Sequence, residues 1–143
     1  MTDTSAGFRI RGRMCGKEIH YQDILVTDTA TYTKGDIVNV ETGEVDLAVY
    51  DDTAMIGPVM ETVSGTDSTT YVRVCVDPDV IMEVYDANAR VIGATLELTG
   101  ATGAQTVGTS TTDYAFVVYA ASTATEPTLV IFNAGHHLFL LDQ

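Results

Sequence analysis

The stretch KGDIVNVETGEVDLAVYD, residues 34–51, decides the fold class. KGD at 34–36 is typical of a turn, and the apolar run that begins at Ile37 has the composition of a strand. ETGE at 41–44 supplies a second, tighter turn, in which Gly43 can take a positive φ. Beyond that turn, apolar residues recur at every second position. Strand, tight turn and strand together predict a β-hairpin.

The same signals recur along the rest of the chain. Short runs of valine, isoleucine and aromatic residues alternate with turns rich in glycine, aspartate and threonine, which is typical of an all-β protein. Pro58 predicts an edge or a bulge, because proline has no N–H to donate to a ladder. Further strands are predicted at 56–63, 70–76, 91–98, 114–120, 128–132 (TLVIF) and 137–141 (HLFLL), with 80–90 as either a strand or a short helix and 99–113 as a long surface loop. We therefore expect an all-β fold, a small β-barrel or sandwich of about eight to ten short strands with an extended N-terminal arm.

Charge is distributed unevenly along the 143 residues. The formal net charge is −13, yet four of the seven basic residues lie in FRIRGRMCGK, residues 8–17. This contrast suggests a basic N-terminal arm over 1–22 and a single β-rich domain over 23–143. Because so acidic a body repels a nucleic-acid backbone, we expect no direct nucleic-acid partner.

The basic segment alternates in character. In an extended strand Phe8, Ile10 and Met14 would share one face, while the arginines between them would occupy the other. Such a strand suits β-augmentation, in which backbone hydrogen bonds give affinity and alternate side chains give register. Two interpretations stay open: an arm that docks on a partner, or the first strand of the domain's own sheet with its arginines paired to the acidic body.

Signatures of catalysis and of metal binding are weak. GHH at 135–137 puts adjacent histidines on opposite faces of a strand, so one metal cannot easily take both. DANARVIGATLE at 86–97 resembles a calcium loop, but Arg90 stands where an oxygen ligand belongs and Val91 where the loop needs glycine. No nucleophile, phosphate-loop or zinc-protease motif occurs. We expect no enzyme, no cofactor and no metal.

The remaining segments bear on where the chain works. Cys75 lies in an apolar run and is expected to be a buried free thiol, with Cys15 unpaired. No stretch approaches the 18 or more apolar residues of a membrane span, and MTDTSAGF has no signal-peptide pattern. These features predict assembly in a cytoplasm and no membrane partner.

The spacing of turns and strands over roughly residues 24–85 resembles the small head decoration, or cement, proteins of tailed bacteriophages. The shared features are the turn and strand Lys34-Gly35-Asp36-Ile37-Val38, the strand Ile56-Gly57-Pro58-Val59 and the valine-rich strand from Val72 to Val76. The tail YAFVVYAASTATEPTLVIFNAGHHLFLL is similar to phage head proteins in a more general way. None of these features is chemical; they are spacings of turns and core residues.

The resemblance implies a structural virion protein that binds the outside of a phage capsid and stabilises the shell. It implies a homotrimer, the major capsid protein as partner, and a place on the capsid exterior after assembly in the host cytoplasm. The alternative is a virion-surface or host-surface module that binds a carbohydrate or receptor without catalysis. On the first interpretation the capsid-binding arm would use Phe8, Arg9, Ile10, Arg11, Arg13, Met14 and Lys17.

Overall fold

The structure, a computed structural model, describes residues 6–27, 30–65 and 69–140. The all-β prediction is confirmed, and the described residues form more strands than the eight to ten expected. In chain order the elements are β1 (Arg9–Arg13), β2 (Tyr21–Leu25), β3 (Thr31–Tyr32), β4 (Ile37–Glu41), β5 (Glu44–Leu47), β6 (Met55–Pro58), β7 (Val63–Ser64), β8 (Tyr71–Cys75), β9 (Val80–Val84), β10 (Thr95–Thr99), β11 (Thr106–Thr109), β12 (Phe116–Ala120), β13 (Thr128–Phe132) and a 3₁₀ turn at Leu138–Leu140.

Five strands from the first half of the chain form a ring. β4 pairs antiparallel with both β5 and β6, and β2 pairs antiparallel with β8. Two isolated bridges join these groups: Val59, just after β6, pairs with Val74, and Val26, just after β2, pairs with Val45. The ring is thus a small barrel in the order β2, β8, β6, β4, β5. Its interior is filled by the buried cluster Val26, Tyr32, Val38, Val45, Ile56, Val59, Val72 and Val74.

The second half of the chain, together with β1, forms a six-stranded sheet. Its order is β1-β9-β13-β12-β10-β11, so β1 and β11 are its edges. One face packs against the barrel, and in the core the tilted rings of Phe8 and Phe116 lie with centroids 5.0 Å apart. A second buried cluster joins the two layers, with Met82, Leu96, Phe116 and Val130 from the sheet and Ile37, Met55 and Cys75 from the barrel. The architecture therefore combines the two predicted forms, a small barrel and a sandwich.

The predicted hairpin is confirmed. β4 and β5 pair with Glu41 opposite Glu44, which leaves a two-residue turn. Thr42 and Gly43 both have positive φ, 48° and 83°, the combination that a type I′ turn requires. Pro58 ends β6, and a register irregularity separates Val38 from Asn39 on the partner strand β4, as expected for a strand that contains proline.

Two predictions about the later segments are wrong. Residues 99–113 are not one surface loop, because β11 lies within them and pairs with β10 from Leu96–Thr109 to Thr99–Thr106. HLFLL is not a strand: the backbone turns at Leu138–Leu140, where the buried His137 ring accepts a hydrogen bond from the Phe139 N–H. Residues 80–90 take the strand alternative, as β9 followed by a turn.

Candidate functional site

The basic segment is part of the domain's own sheet. β1 pairs antiparallel with β9, with Arg9 opposite Glu83 and Arg13 opposite Val80. Phe8 is 2% exposed and sits in the core between the layers. Of the two interpretations left open by the sequence, the pairing within the chain is therefore the one observed. The predicted boundary after residue 22 falls inside β2. The division into arm and domain stays a prediction.

A β-bulge breaks the alternation of the basic segment. The register shifts between Ile10 and Gly12, so Arg11 is an extra residue without a partner on β9. One extra residue reverses which face later side chains occupy. Arg13 therefore joins Ile10 on the inner side, and Met14 is 53% exposed. The expectation that Phe8, Ile10 and Met14 share one apolar face is wrong at Met14 for this reason.

Two arginines share one carboxylate on β9. Arg9 Nε and Arg11 Nη1 each lie 3.0 Å from a different oxygen of Glu83. The side chain of Arg9 is 26% exposed and that of Arg11 57%. Of the two guanidinium groups, that of Arg11 is the more exposed to solvent.

Arg13 is held by the DPD turn at 77–79. Its Nε lies 2.7 Å from Asp79 Oδ1 and its Nη1 3.4 Å from Asp77 Oδ1. His20 approaches the same Asp77 oxygen at 2.9 Å. Burial raises the pKa of Asp79, but the hydrogen bonds from Arg13 and Cys15 outweigh it and the net pKa is lowered. These contacts connect β1 to the turn that precedes β9, so the role of this cluster is structural.

The cations of the predicted capsid-binding arm therefore divide into two groups. Arg9 and Arg13 are partly buried and engaged with Glu83, Asp77 and Asp79. Arg11, which also contacts Glu83, and Lys17 are exposed. Of the apolar members, Phe8 and Ile10 pack in or against the core and Met14 faces solvent. Whether this set binds a capsid stays a prediction.

A groove of about 520 Å³ runs beside β1. Ala6–Ile10 and Pro58–Met60 supply most of its walls, and Tyr21 and Lys34 also line it. Among the residues that the structure describes, the lining contains Arg9 and Lys34 and no carboxylate. Sequence reasoning missed this groove, because its walls are about fifty residues apart in the chain. KGD at 34–36 signalled a turn but gave no indication of what Lys34 would face.

The other candidate sites have structural roles. His137 Nε2 lies 3.0 Å from the carbonyl oxygen of Ile56, so this histidine joins β6 to the C-terminal turn. Arg90 forms an ion pair with Asp86 within the supposed calcium loop. Burial raises the pKa of the free Cys75 thiol to about 11. Among the residues that the structure describes, no group of three or more His, Cys, Asp or Glu side chains is placed to hold a metal ion.

Within the described ranges, no helix is long and apolar enough to cross a membrane. No family model and no curated protein matches the chain. A solved structure with a similar fold is the N base of the head fiber gp8.5 of bacteriophage phi29. The two superpose with a TM-score of 0.53 over 80% of this chain and 95% of that chain, at 11% sequence identity. At that identity the likeness is one of fold: this chain has the all-β architecture of that fiber base.

Proposed function

We propose that the protein is a structural component of a tailed-phage virion that binds the outer surface of the capsid and stabilises the shell. The observation that carries this proposal is the likeness in fold to the N base of a phage head fiber over 80% of the chain. The resemblance of residues 24–85 to head decoration proteins points in the same direction from the sequence. The proposed partner is the major capsid protein, and the proposed assembly is a homotrimer.

The charge distribution is compatible with such a role. Most of the 20 acidic residues lie on the β body, while Arg11 and Lys17 are exposed on the basic segment. Exposed cations pair readily with carboxylates of a shell, and such contacts weaken with salt. Each contact of this kind is weak, but many copies that each bridge several shell subunits add up through multivalency.

The test is binding to assembled shells. Purified protein would be mixed with expanded capsids of the virus that encodes it, sedimented, and the bound fraction measured against unassembled capsid protein. We expect saturable binding to expanded shells and a higher temperature for release of packaged DNA from decorated particles. Protein that stays in the supernatant at saturating shell concentration would overturn the proposal.

Oligomeric state is measured separately. Sedimentation velocity of the free protein and symmetry-resolved images of decorated shells would show whether three copies meet at one site. Single copies scattered over the shell would retain capsid attachment but remove the homotrimer from the proposal.

A further inference from the structure

We infer that the outer face of the six-stranded sheet is the surface through which copies of this chain associate. The outer face is defined here by outward side chains of three neighbouring strands: Ile81 on β9, Val117 on β12, and Leu129 and Ile131 on β13. The inference rests on the proposed function for the homotrimer. It goes further by naming the interface and by separating it from the exposed cations proposed for the shell.

The first observation is that these strands are apolar on both faces. In β9 and β13 the buried residues alternate with half-buried ones, so the half-buried residues face outward. An antiparallel sheet with one solvated face normally has polar residues at its outward positions. The outer face instead carries isoleucine, leucine and valine, and β13 has the sequence TLVIF. An apolar run of this kind is typical of a strand that is covered on both faces.

The second observation is that the outward apolar side chains are contiguous. Val117 on β12 lies opposite Ile131 on β13. The register of β9 with β13, extended by one residue beyond its last pair, sets Ile81 beside Ile131. Side chains that lie opposite each other on one face have Cβ atoms about 5 Å apart. The outer face is therefore one apolar row across three strands, with Leu129 two residues away on β13.

The third observation is that the outer face does not pack on the core of its own chain. Among the described residues, its four members belong to neither buried cluster and to neither set of partly buried side chains packed against one. All four are half-buried. The barrel differs, because its strands β2 and β8 present an exposed ion pair, Asp23 with Arg73, to solvent. This difference within one molecule favours an apolar surface of another molecule as the cover of the outer face.

The fourth observation is the low charge of these strands. β9, β12 and β13 contain one charged residue, Glu83, and it forms ion pairs with Arg9 and Arg11. Each of the barrel strands β2, β4, β5 and β8 contains at least one charged residue. Because a chain of net charge −13 repels its own copies, two copies approach most easily where acidic residues are fewest.

An exposed apolar turn adjoins the outer face beside β12. The Gly93 N–H donates to Val118 O at 2.9 Å, which sets the turn that contains Val91 and Ile92 next to that strand. Val91 is 70% exposed and Ile92 72%, and Tyr119, the next residue on β12, is 39% exposed. Aromatic residues are enriched at protein interfaces. The turn and Tyr119 would therefore add apolar area to a contact that is centred on the sheet.

A second copy of this chain fits the outer face better than a shell protein does. Interfaces between identical subunits are more apolar than contacts between separately stable partners, which are about as polar as the rest of a protein surface. Three outer faces turned toward one axis would bury their isoleucine, leucine and valine side chains in a closed assembly. The exposed cations proposed for shell binding lie on the basic segment, outside these three strands.

The test is the association of the full chain as a function of concentration, measured by sedimentation velocity. We expect a reversible equilibrium between monomer and oligomer that tightens as salt is raised, because salt screens the repulsion between acidic bodies and leaves the apolar contact in place. Solvent paramagnetic broadening of the methyl signals of Ile81 and Ile131 should decrease as the oligomer forms. A native chain that stays monomeric at about 1 mM would overturn the inference.

Two glutamate variants locate the interface. Ile131→Glu should raise the dissociation constant of the oligomer by about tenfold or more, because it places a charge at the centre of the contact. Tyr71→Glu is the matched control: it adds the same charge at a side chain of β8 that is 59% exposed, and should change the constant by less than about twofold. Equal effects of the two variants would overturn the choice of surface.

A conservative variant covers the case in which Ile131→Glu does not fold. Val117→Thr combined with Ile131→Thr keeps two β-branched side chains on the strands and so retains their strand propensity. It removes apolar area from the centre of the outer face and should weaken association by about tenfold. Association as tight as that of the native chain would contradict the inference.

The outcomes separate this inference from the proposed function. An oligomer that Ile131→Glu dissociates, formed by a native chain that does not bind shells, would support the interface and refute the capsid role. A monomeric native chain that binds shells would refute the interface and leave the capsid role intact. If Ile131→Glu then abolishes shell binding while Tyr71→Glu preserves it, the occupant of the outer face is the shell protein. A dimer that Ile131→Glu dissociates would support the interface and remove the homotrimer from the proposed function.

Discussion

The side chain of Gln105 pairs with both backbone polar groups of Ile37. Its Oε1 accepts a hydrogen bond from the Ile37 N–H at 2.5 Å, and its Nε2 donates to Ile37 O at 3.2 Å. The same Nε2 donates to Ala48 O at 3.3 Å, and Gln105 is fully buried. Gln105 directly precedes β11 of the sheet. Its side-chain amide thus hydrogen-bonds backbone groups of the barrel at the start of β4 and just after the end of β5.

Replacing Gln105 with alanine should therefore be costly. The change removes this partner from the buried Ile37 N–H and Ala48 C=O, whereas Ile37 O still accepts from the Ala48 N–H at 3.0 Å. Each buried group left unsatisfied costs about 1–3 kcal/mol. We expect the free energy of unfolding to fall by about 3 kcal/mol or more, measured by urea denaturation. Gln22→Ala is the control, because Gln22 is an exposed glutamine on β2 and its loss should change stability by less than about 0.5 kcal/mol. Equal losses in the two variants would contradict the bridging role.

Gly57 on β6 should tolerate no side chain. Its φ is +148°, and a Cβ added there would lie 2.1 Å from the carbonyl oxygen of Cys75 on β8. The added Cβ and the Cys75 oxygen lie where β6 and β8 close the barrel, so these two strands cannot move apart without breaking the ring. We expect Gly57→Ala to lose about 3 kcal/mol or more, or to yield insoluble protein.

Gly43→Ala separates steric clash from backbone strain. Gly43 has φ +83° in the β4–β5 turn, and a Cβ there meets open space. Its replacement should cost only about 1 kcal/mol, the penalty of a positive φ for alanine. A comparable loss at both glycines, from denaturant midpoints, would show that the close approach of Gly57 to Cys75 is unimportant.

The β4–β5 hairpin was predictable because its causes are local. Alternation sets its faces, and Gly43 permits the tight turn that fixes its register. Cys75 was likewise recognisable as buried from the apolar run around it. In each case the residues that determine the structure are neighbours in sequence.

Where the cause was a distant residue, prediction failed. β11 contains Val107 as its one buried apolar side chain among threonine and glycine, so no alternation marks it as a strand. Its place is determined by pairing with β10 and by the bonds of Gln105 to the barrel. The bulge at Arg11 likewise depends on the register with β9, and its one local sign in the sequence is Gly12, because a glycine inside a strand pattern suggests a bulge.

His137 should make stability fall on the acid side. Burial lowers its pKa from 6.5 to about 4 because the charged ring loses its hydration, and this outweighs the hydrogen bond to Ile56 O and the charge of Asp77, which both raise the pKa. Between those two pH values the unfolded chain binds a proton that the folded chain does not. The stabilisation is complete above pH 6.5 and is lost as pH falls toward 4, by up to about 3 kcal/mol.

The measurement is the free energy of unfolding from pH 7.5 to 4.5 for the native chain and for His137→Gln. Glutamine keeps a donor toward Ile56 O but does not titrate, so the variant should be less stable at pH 7.5 and show a shallower loss below pH 6.5. His136→Gln is the control; burial lowers the pKa of His136 too, but this side chain is only half-buried. Parallel pH profiles for native protein and His137→Gln would contradict the assignment.

The basic segment yields a prediction that separates attachment from stability. Arg11 and Arg13 are two residues apart, but the side chain of Arg11 is 57% exposed and that of Arg13 is 15% exposed. Arg13→Gln breaks the contacts with Asp79 and Asp77 and should lower the denaturant midpoint. Arg11→Gln should leave that midpoint unchanged, since Glu83 keeps Arg9 as its partner.

In the shell-sedimentation experiment we expect the opposite ranking: loss of the exposed cations should weaken binding more than loss of Arg13. Arg11→Gln combined with Lys17→Gln removes the two exposed cations of the segment and should weaken attachment several-fold at low salt, with a smaller difference at high salt. Arg13→Gln, assayed well below its unfolding transition, should bind as the native chain does, because its guanidinium is occupied within the domain. Attachment that depends on Arg13 and ignores Arg11 and Lys17 would mean that the strand must leave its own sheet to bind. The bulge that turns Arg13 inward makes the opposite result the expected one.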